Sequence, residues 1–465
     1  MILIYDFNQR EKQSKYEYLY QCLKADILNG NLAEGSKLPS KRELSEANHI
    51  SIKTVMNAYE QLIMEGYIVS KERSGYFVVS NFTPQLRYQN IPVKPPKAEE
   101  EESWFANFCA NTAVYEKFPF SMWTRVMRNV LADYQVNLMR RGEFLGSQEL
   151  RLEIAKHLYH SRGIVVSSDC IVIGTGIEYL YSKLIELLPK DSIYGVENPG
   201  YRKIPHIYEE YGVQWTWSEM DEEGILMNSL QKSRASVLHV SPEHHYPLGT
   251  VMSAKRRQQL LKWLEMDSNR YIIEDDYDCE FRYRGRPISA LYGLDHTQRV
   301  IYMNTFSKTL SPAIRISYMV LPEKLLNQYV STANFFSNTS SNLEQYTLAR
   351  FIKEGYFCRH LNRMRKYYQK QGEMMLKSLN ETKGIPFEKI SGVESGTHLL
   401  VRINTRMSDL EIKWKARQKG INLSCLSEFC IGNPKQYQNI LVLNYLNMDE
   451  EHMKEVMARL AEVFA

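Results

Sequence analysis

The sequence predicts an α/β protein in two parts: a small helical module closed by a β-hairpin, then a large domain on a mostly parallel sheet. Three observations predict this. Residues 16–66 show helical apolar spacing broken by capping and stop residues, and two β-rich runs follow. From about residue 107 onward, helix-like and strand-like runs alternate, as they do when crossover helices join parallel strands. A stretch rich in proline and glutamate separates the two. At 465 residues the chain has room for more than one domain.

Composition narrows the classes. Apolar residues make up 44% of the chain and charged residues 24%, so a sizeable core can form. A net charge of +4 over this length does not by itself imply nucleic acid. The seven cysteines are scattered without a Cys-x-x-Cys pair, which suits a reducing, cytoplasmic setting better than a disulfide framework. Ile2-Leu3-Ile4 is too short an apolar start for a signal peptide. No run reaches about 18 apolar residues, so no membrane span is expected.

In the first module, Tyr16, Leu19, Tyr20, Leu23 and Ile27 make one face of a helix that Gly30 stops. Ser40 and Glu43 stand at capping-box spacing, so a short second helix follows Ser40 and ends at Asn48-His49. Ser51 opens a third helix, with Val55, Tyr59, Leu62 and Ile63 inward and Gly66 closing it. Ser51, Lys53, Thr54 and Asn57 face out. Two β-rich runs, 67–69 and 76–79, flank the turn Lys71-Glu72-Arg73-Ser74-Gly75. Three helices and a hairpin outline a winged helix-turn-helix, whose third helix enters the major groove while the hairpin tip lies against phosphate or the minor groove. Residues 1–80 hold ten Lys/Arg and ten Asp/Glu, so DNA affinity must come from local charge. Lys37, Lys41, Arg42, Lys53, Lys71 and Arg73 are the candidates for that surface. A helical protein-interaction module is the alternative reading of the same pattern.

Leu38-Pro39-Ser40-Lys41-Arg42-Glu43-Leu44, Ser51-Ile52-Lys53-Thr54-Val55, Ala58-Tyr59, Glu65-Gly66-Tyr67 and Ser74-Gly75-Tyr76-Phe77-Val78 resemble, in this order, the GntR group of bacterial regulators. The resemblance implies a DNA-binding domain over residues 1–80 and double-stranded operator DNA as its partner. It implies contacts from Arg42, Ser51, Lys53, Thr54 and the wing tip Ser74-Gly75, with Lys41 on the same surface. The group more often carries Arg where Lys53 stands.

Residues 81–106 read as a linker. Pro84, Pro92, Pro95 and Pro96 followed by Glu99, Glu100, Glu101 and Glu102 favour an extended connector. The large domain then spans 107–465. A strand over 170–173 runs into Gly174-Thr175-Gly176 and an apolar-rich helix over 177–188. A glycine turn that opens a helix leaves N–H groups free for an anion. A strand over 192–197 ends in Asn198-Pro199-Gly200-Tyr201, where the tyrosine is placed to stack on a flat ring or simply to pack. A strand over 237–240 leads to Ser241-Pro242-Glu243-His244-His245-Tyr246-Pro247-Leu248-Gly249, whose two histidines lack further partners at metal-ligand spacing. A strand over 271–273 enters Glu274-Asp275-Asp276-Tyr277-Asp278. Acids so crowded need a cation, and either a protonated pyridine nitrogen or Mg²⁺ would serve.

Strand-like runs over 299–303 and 316–321 enclose Thr305-Phe306-Ser307-Lys308-Thr309, with Arg315 seven residues after the lysine. Hydroxyls and a planar guanidinium suit a phosphate. A lysine between strands is partly desolvated, which lowers its pKa and makes the amine nucleophilic. Together they describe a Schiff-base lysine beside the phosphate of pyridoxal phosphate (PLP). A solvated lysine in a polar loop is the plainer alternative.

Taken in order, these motifs resemble fold-type I aminotransferases. With the first module in front, they resemble the MocR branch of the GntR group, in which a winged helix precedes an aminotransferase-like domain. The resemblance implies that Lys308 forms the internal aldimine with PLP. It implies that Asp275 pairs with the pyridine nitrogen, with the adjacent Asp276 as the alternative. Tyr277 would bond the ring oxygen, Tyr201 would stack on the ring, and Thr175, Gly176, Ile177, Ser307 and Arg315 would hold the phosphate. It also implies a large part over about 107–322, a smaller C-terminal α+β subdomain over about 323–465, and a domain-swapped homodimer. Such aminotransferases commonly grip the substrate carboxylate with an arginine in a late strand, and here residues 440–445 contain none. Arg202, Lys203 and Arg402 are the candidates to bind an effector's acidic group instead. The expected function is a cytoplasmic, PLP-dependent transcriptional regulator that senses a small amine or PLP, with at most weak transamination. The rival is a working aminotransferase with an N-terminal docking module.

Overall fold

The computed structural model describes residues 2–10, 12–79, 103–109, 114–283, 288–392, 395–432, 435–445 and 447–465. The expected linker lies outside the described residues up to residue 102. The chain divides into two compact units, Met1–Glu102 and Ser103–Ala465.

The first unit contains α1 (Lys15–Leu28), α2 (Lys41–Ala47), α3 (Ile52–Met64) and a hairpin of β1 (Ile68–Lys71) and β2 (Gly75–Val78). Short polar residues start each helix by satisfying N–H groups that have no partner within it. Ser14 with Glu17 and Ser40 with Glu43 form complete capping boxes, and the Ser51 hydroxyl accepts from Thr54 N. The core gathers Leu19, Leu23, Leu44, Val55, Tyr59 and Leu62, all removed from solvent. Each such side chain contributes about 1.5–3 kcal/mol by leaving water.

Two side chains expected inward are not. Ile63 is 37% exposed, and Ala58 takes the inward place. At 3.6 residues per turn, positions 55, 58, 59 and 62 share one face, and 63 falls on its shoulder. Tyr16, in the first turn of α1, is also 37% exposed, while Tyr20 spends its hydroxyl on Glu65. The hairpin pairs Ile68 with Val78 through Lys71 with Gly75, so both strands are displaced by about a residue from the sequence expectation. Arg73 (φ 56°) and Gly75 (φ 111°) turn the chain between them. Backbone bonds from Leu38 N to Tyr76 O (2.9 Å) and Val78 N to Ser36 O (3.0 Å) tie the wing to the segment ahead of α2.

The second unit starts at Ser103. Ala106, placed by sequence at the end of the linker, is buried and donates its N–H to Gly420 O (3.2 Å). The unit is built on an eight-stranded sheet. Its strands are β3 (Ile171–Gly174), β4 (Tyr194–Asn198), β5 (Trp215–Asp221), β6 (Gly224–Ile225), β7 (Val237–Val240), β8 (Tyr271–Asp275), β9 (Val300–Thr305) and β10 (Ser317–Val320). They lie in the order β3-β10-β9-β8-β7-β4-β5-β6. The run from β9 to β5 is parallel, and β10 is antiparallel to both its neighbours. The central strands are buried along their length, as expected for a sheet covered on both faces. Further along, β11 (Phe387–Ser391), β12 (His398–Ile403), β13 (Ser424–Cys425) and β14 (Ile440–Asn444) form an antiparallel sheet in the order β11-β12-β14-β13. Helices Tyr356–Glu381 and Glu450–Ala461 bury Met375, Leu379, Met453 and Met457 in the same core as its inner face.

The stretch around the key lysine, read from sequence as a loop, is one helical turn, α4 (Phe306–Thr309). Thr305 ends β9 and its hydroxyl accepts from Ser307 N (3.1 Å), which starts the turn. No helix among the described residues is long and apolar enough to cross a membrane.

Candidate functional site

β3, β4, β7, β8 and β9 point the same way, so their carboxyl ends share one edge of the sheet. There the chain leaves the ladder, and ligands of such sheets bind. A cavity of about 570 Å³ opens at this edge, a usual size for a small-ligand site. β8 brings Asp275 and Tyr277 to it, and β9 with α4 brings Ser307 and Lys308. Tyr201 and Arg202 arrive after β4, Gly176 and Ile177 after β3, and Arg315 ahead of β10.

The acids at and just beyond the end of β8 have separate partners. Glu274 accepts from Leu291 N (2.9 Å) and Tyr292 N (2.8 Å). Asp276 pairs with the buried Arg162 (3.1 Å) and accepts from the Tyr302 hydroxyl (2.7 Å). Asp278 pairs with His244 Nδ1 (2.8 Å). Asp275 accepts from the Tyr181 hydroxyl on Oδ2 (2.6 Å), with His239 Nε2 3.5 Å away, and Tyr208 Oη sits 2.8 Å from His239 Nδ1. Its other oxygen, Oδ1, is buried without a hydrogen-bond partner, and Asp275 is the member of the pair that lines the cavity. A carboxylate oxygen in that state is matched by a cationic N–H donor. No group of three metal-ligating side chains is assembled among the described residues.

Burial pushes the Lys308 ammonium down to about 8, against the opposing charge of Asp278. The neutral amine is therefore well populated near physiological pH. On the far side of the cavity, Gly176 precedes the helix Ile177–Leu187 and supplies no side-chain cap, which leaves the first N–H groups of that helix open to a ligand. Gly176 has φ +85°, a left-handed conformation that favours glycine, and a Cβ there would stand 2.7 Å from Arg315 Nη2 and displace the end of that side chain. Ser307 and Arg315 line the same cavity, and a hydroxyl and a guanidinium beside a helix start suit an anion. The Tyr277 hydroxyl lies 3.3 Å from His244 Nδ1, and Tyr201, half exposed, meets Tyr246 edge to face. The donors thus suit a flat aromatic cation with an anionic tail and an electrophile near Lys308, which is the chemistry of PLP.

Some expected residues stand elsewhere. Arg402 is not among the lining residues, and its guanidinium donates to Gln436 O (3.1 Å) because β12 turns it away from the cavity edge. Lys203 does not line the cavity either and is paired with Glu178. Thr175 places its hydroxyl 3.2 Å from that of Ser340. Arg202 does line the cavity and donates to Cys430 O (2.8 Å).

Sequence reasoning missed Glu178, Glu197 and His239, and weighed His245 only as a metal ligand. Glu197 accepts from Ser241 N (3.0 Å), leaves Oε1 without a partner, and is pushed by burial up to about 8, so it is largely protonated at neutral pH. Burial lowers the neighbouring His245 to about 3, so it stays neutral. Glu197 stands one residue before Asn198-Pro199-Gly200-Tyr201, and a charged residue closing a buried strand was the available signal.

In the first unit, Lys41 and Arg42 open α2, and Ser51, Lys53 and Thr54 open α3. Helix starts of this kind present side chains and N–H groups to a DNA groove and its phosphates. Arg42 is largely exposed and pairs with Glu46 (3.0 Å). Lys41 lies over the Tyr76 ring, and Lys53 is exposed. The Ser51 and Thr54 hydroxyls contact each other (2.8 Å) as part of the cap of α3. Ser74 and Gly75 sit at the turn of the wing.

Comparison with known proteins agrees with this division. Residues 15–78 match the bacterial regulatory proteins of the gntR family, and residues 103–460 match aminotransferase class I and II. The HTH-type transcriptional regulator YdeL of Bacillus subtilis is 39% identical over 411 residues, 88% of each chain. MocR of Rhizobium meliloti, named as a probable rhizopine catabolism regulatory protein, is 29% identical over 97% of this chain and 93% of its own. Among solved structures, Pyrococcus horikoshii kynurenine aminotransferase in complex with PMP superposes with a TM-score of 0.67 at 26% identity, covering 78% of this chain and 91% of that one.

Proposed function

The chain belongs to the MocR-type branch of the GntR transcriptional regulators, a gntR-type helix-turn-helix domain fused to an aminotransferase class I and II domain, and on that premise we propose that it reads operator DNA in response to a small amine or PLP bound at the cavity beside Lys308. The observation that carries the PLP reading is the buried, unpartnered Oδ1 of Asp275 in one cavity with Lys308 and Arg315. Bound PLP supplies an aldehyde that exchanges between amines and a protonated pyridine that draws electrons from it.

The chain's own groups have distinct tasks. Asp275 would give the ring nitrogen a charge-assisted hydrogen bond, and Tyr181 and His239 fix the orientation of its carboxylate. Arg315, Ser307 and the backbone at Gly176 and Ile177, all of which line the cavity, would hold the phosphate, with Thr175 beside them only if its hydroxyl leaves Ser340. Tyr277 would donate to the ring oxygen, and Tyr201 would cover one face of the ring. Lys308 presents a neutral amine because burial disfavours its charge. Arg202, which lines the cavity, is the candidate cation for an effector's acidic group, with Lys203, the next residue, held outside the lining by Glu178. β14 carries no arginine in that role, which supports sensing over efficient transamination.

Lys41, Arg42, Ser51, Lys53, Thr54 and the wing tip at Ser74 and Gly75 contact the operator. A cytoplasmic homodimer matches two half-sites. An effector that prefers one conformation of the regulator shifts its affinity for DNA by the same factor that DNA shifts the affinity for effector.

The test is spectroscopic. Wild-type protein supplied with PLP gains the visible absorbance of the bound cofactor, and Lys308→Ala does not. Uptake quickens as pH rises through about 8, where Lys308 loses its proton, and levels off above it. A variant that retains the wild-type band would end the assignment of Lys308.

A further inference from the structure

Glu178 has no task in the site as described, yet it occupies the phosphate side of the cavity. It lies in the first turn of the helix that follows Gly176 and lines the cavity. Its carboxylate bridges two cations: Oε1 accepts from Lys203 Nζ, and Oε2 accepts from Arg315 Nη2 (3.0 Å). Burial opposes its ionisation, but Lys203 and Arg315 hold it below the usual carboxylate range. A Cβ on Gly176 would stand 3.2 Å from Glu178 Oε2, so the carboxylate rests directly against the glycine turn. An anion of the chain itself is therefore seated where the guanidinium and the turn would meet a phosphate.

We propose that Glu178 is a built-in competitor for the phosphate cup: it engages Arg315 until a phosphate takes the guanidinium, and it lowers the affinity for every phosphorylated ligand. The inference rests on the reading of Arg315 as the phosphate-binding cation. Two anions sharing one guanidinium repel each other, and neither gains the full attraction. Lys203 decides how far Glu178 can yield, because it offers the displaced carboxylate a second cation. Loading of the cofactor then stays reversible over a working range of concentration, as a sensor requires, whereas an uncontested cup would remain filled.

Full-length wild type, Glu178→Gln and Lys203→Met are titrated with PLP and with pyridoxal, which lacks the phosphate, and followed by visible absorbance. Glu178→Gln binds PLP about tenfold more tightly, within the usual span of coupling between neighbouring sites. Its affinity for pyridoxal is unchanged. Lys203→Met binds PLP more weakly, because Glu178 then rests on Arg315 alone. Unchanged or weaker PLP binding by Glu178→Gln overturns the proposal, as does a gain of equal size for pyridoxal. If wild type takes up neither compound, the cofactor reading fails. Calorimetry with inorganic phosphate then decides Glu178 separately: tighter binding by Glu178→Gln supports the competitor, and equal binding overturns it.

Discussion

Asp275 and Asp276 are adjacent in the chain and meet opposite surroundings. Asp275 keeps one oxygen for the cavity, whereas Asp276 is tied to Arg162 and Tyr302. Substituting each therefore has a different consequence. Asp275→Asn weakens retention of PLP at least about tenfold, since a charge-assisted bond becomes a neutral one, while the melting temperature changes little. Asp276→Asn leaves the buried Arg162 with Glu243 as its remaining acidic partner and costs about 3 kcal/mol of stability, seen as an earlier thermal transition with PLP affinity retained. Absorbance titration and thermal melts separate the two outcomes. From sequence Asp275 was preferred for the ring nitrogen only by resemblance, with the adjacent Asp276 as the alternative. The difference comes from Tyr181, 94 residues from Asp275, and from Arg162, and such distant partners leave no mark on the local pattern. Lys308 and Arg315 were legible because hydroxyls, lysine and arginine stand together between two strands. Glu178 was not, because a lone glutamate in the first turn of a helix is ordinary.

At the scale of single elements, what was local was legible. The Ser40–Glu43 box starts α2 as the spacing required, since a capping box closes within four residues. Ser40→Ala removes one acceptor from that helix start and costs about 1 kcal/mol, measurable by denaturant unfolding. Arg42→Ala, two residues later, behaves differently. Its pair with Glu46 is highly exposed and contributes little to stability. Operator binding in a gel shift weakens, and the salt dependence of binding falls by about one unit in log–log slope, while the PLP absorbance stays. Equal affinity at matched salt would remove Arg42 from the interface. Six of the eight strands of the large sheet were also found to within about two residues, because buried apolar runs bounded by glycine and acids mark themselves; β5 and β6, at the edge of the sheet, were not read, and β5 is only partly buried along its length. The turn at Lys308 and the outward Ile63 were missed too, because both depend on what packs against them: α4 follows from the Thr305 cap, and Ala58 displaces Ile63 by phase.

At the scale of the molecule, order along the chain carried the most information. Each motif alone was weak, but a winged module followed by the glycine turn, the tyrosine, the acids and the lysine has few readings. The fully buried side chains that build the core of the first unit all come from residues 19–78. A chain of residues 1–80 produced alone should fold cooperatively, shown by a single sigmoidal melt in circular dichroism, and should still shift operator DNA at low salt. A non-cooperative melt would mean that this core needs the rest of the protein.

That self-closed core has a consequence for inheritance. Exchanging this stretch for its counterpart from a relative alters which genes respond and leaves untouched what they respond to, so recognition of a promoter and recognition of a metabolite are free to diverge at separate rates.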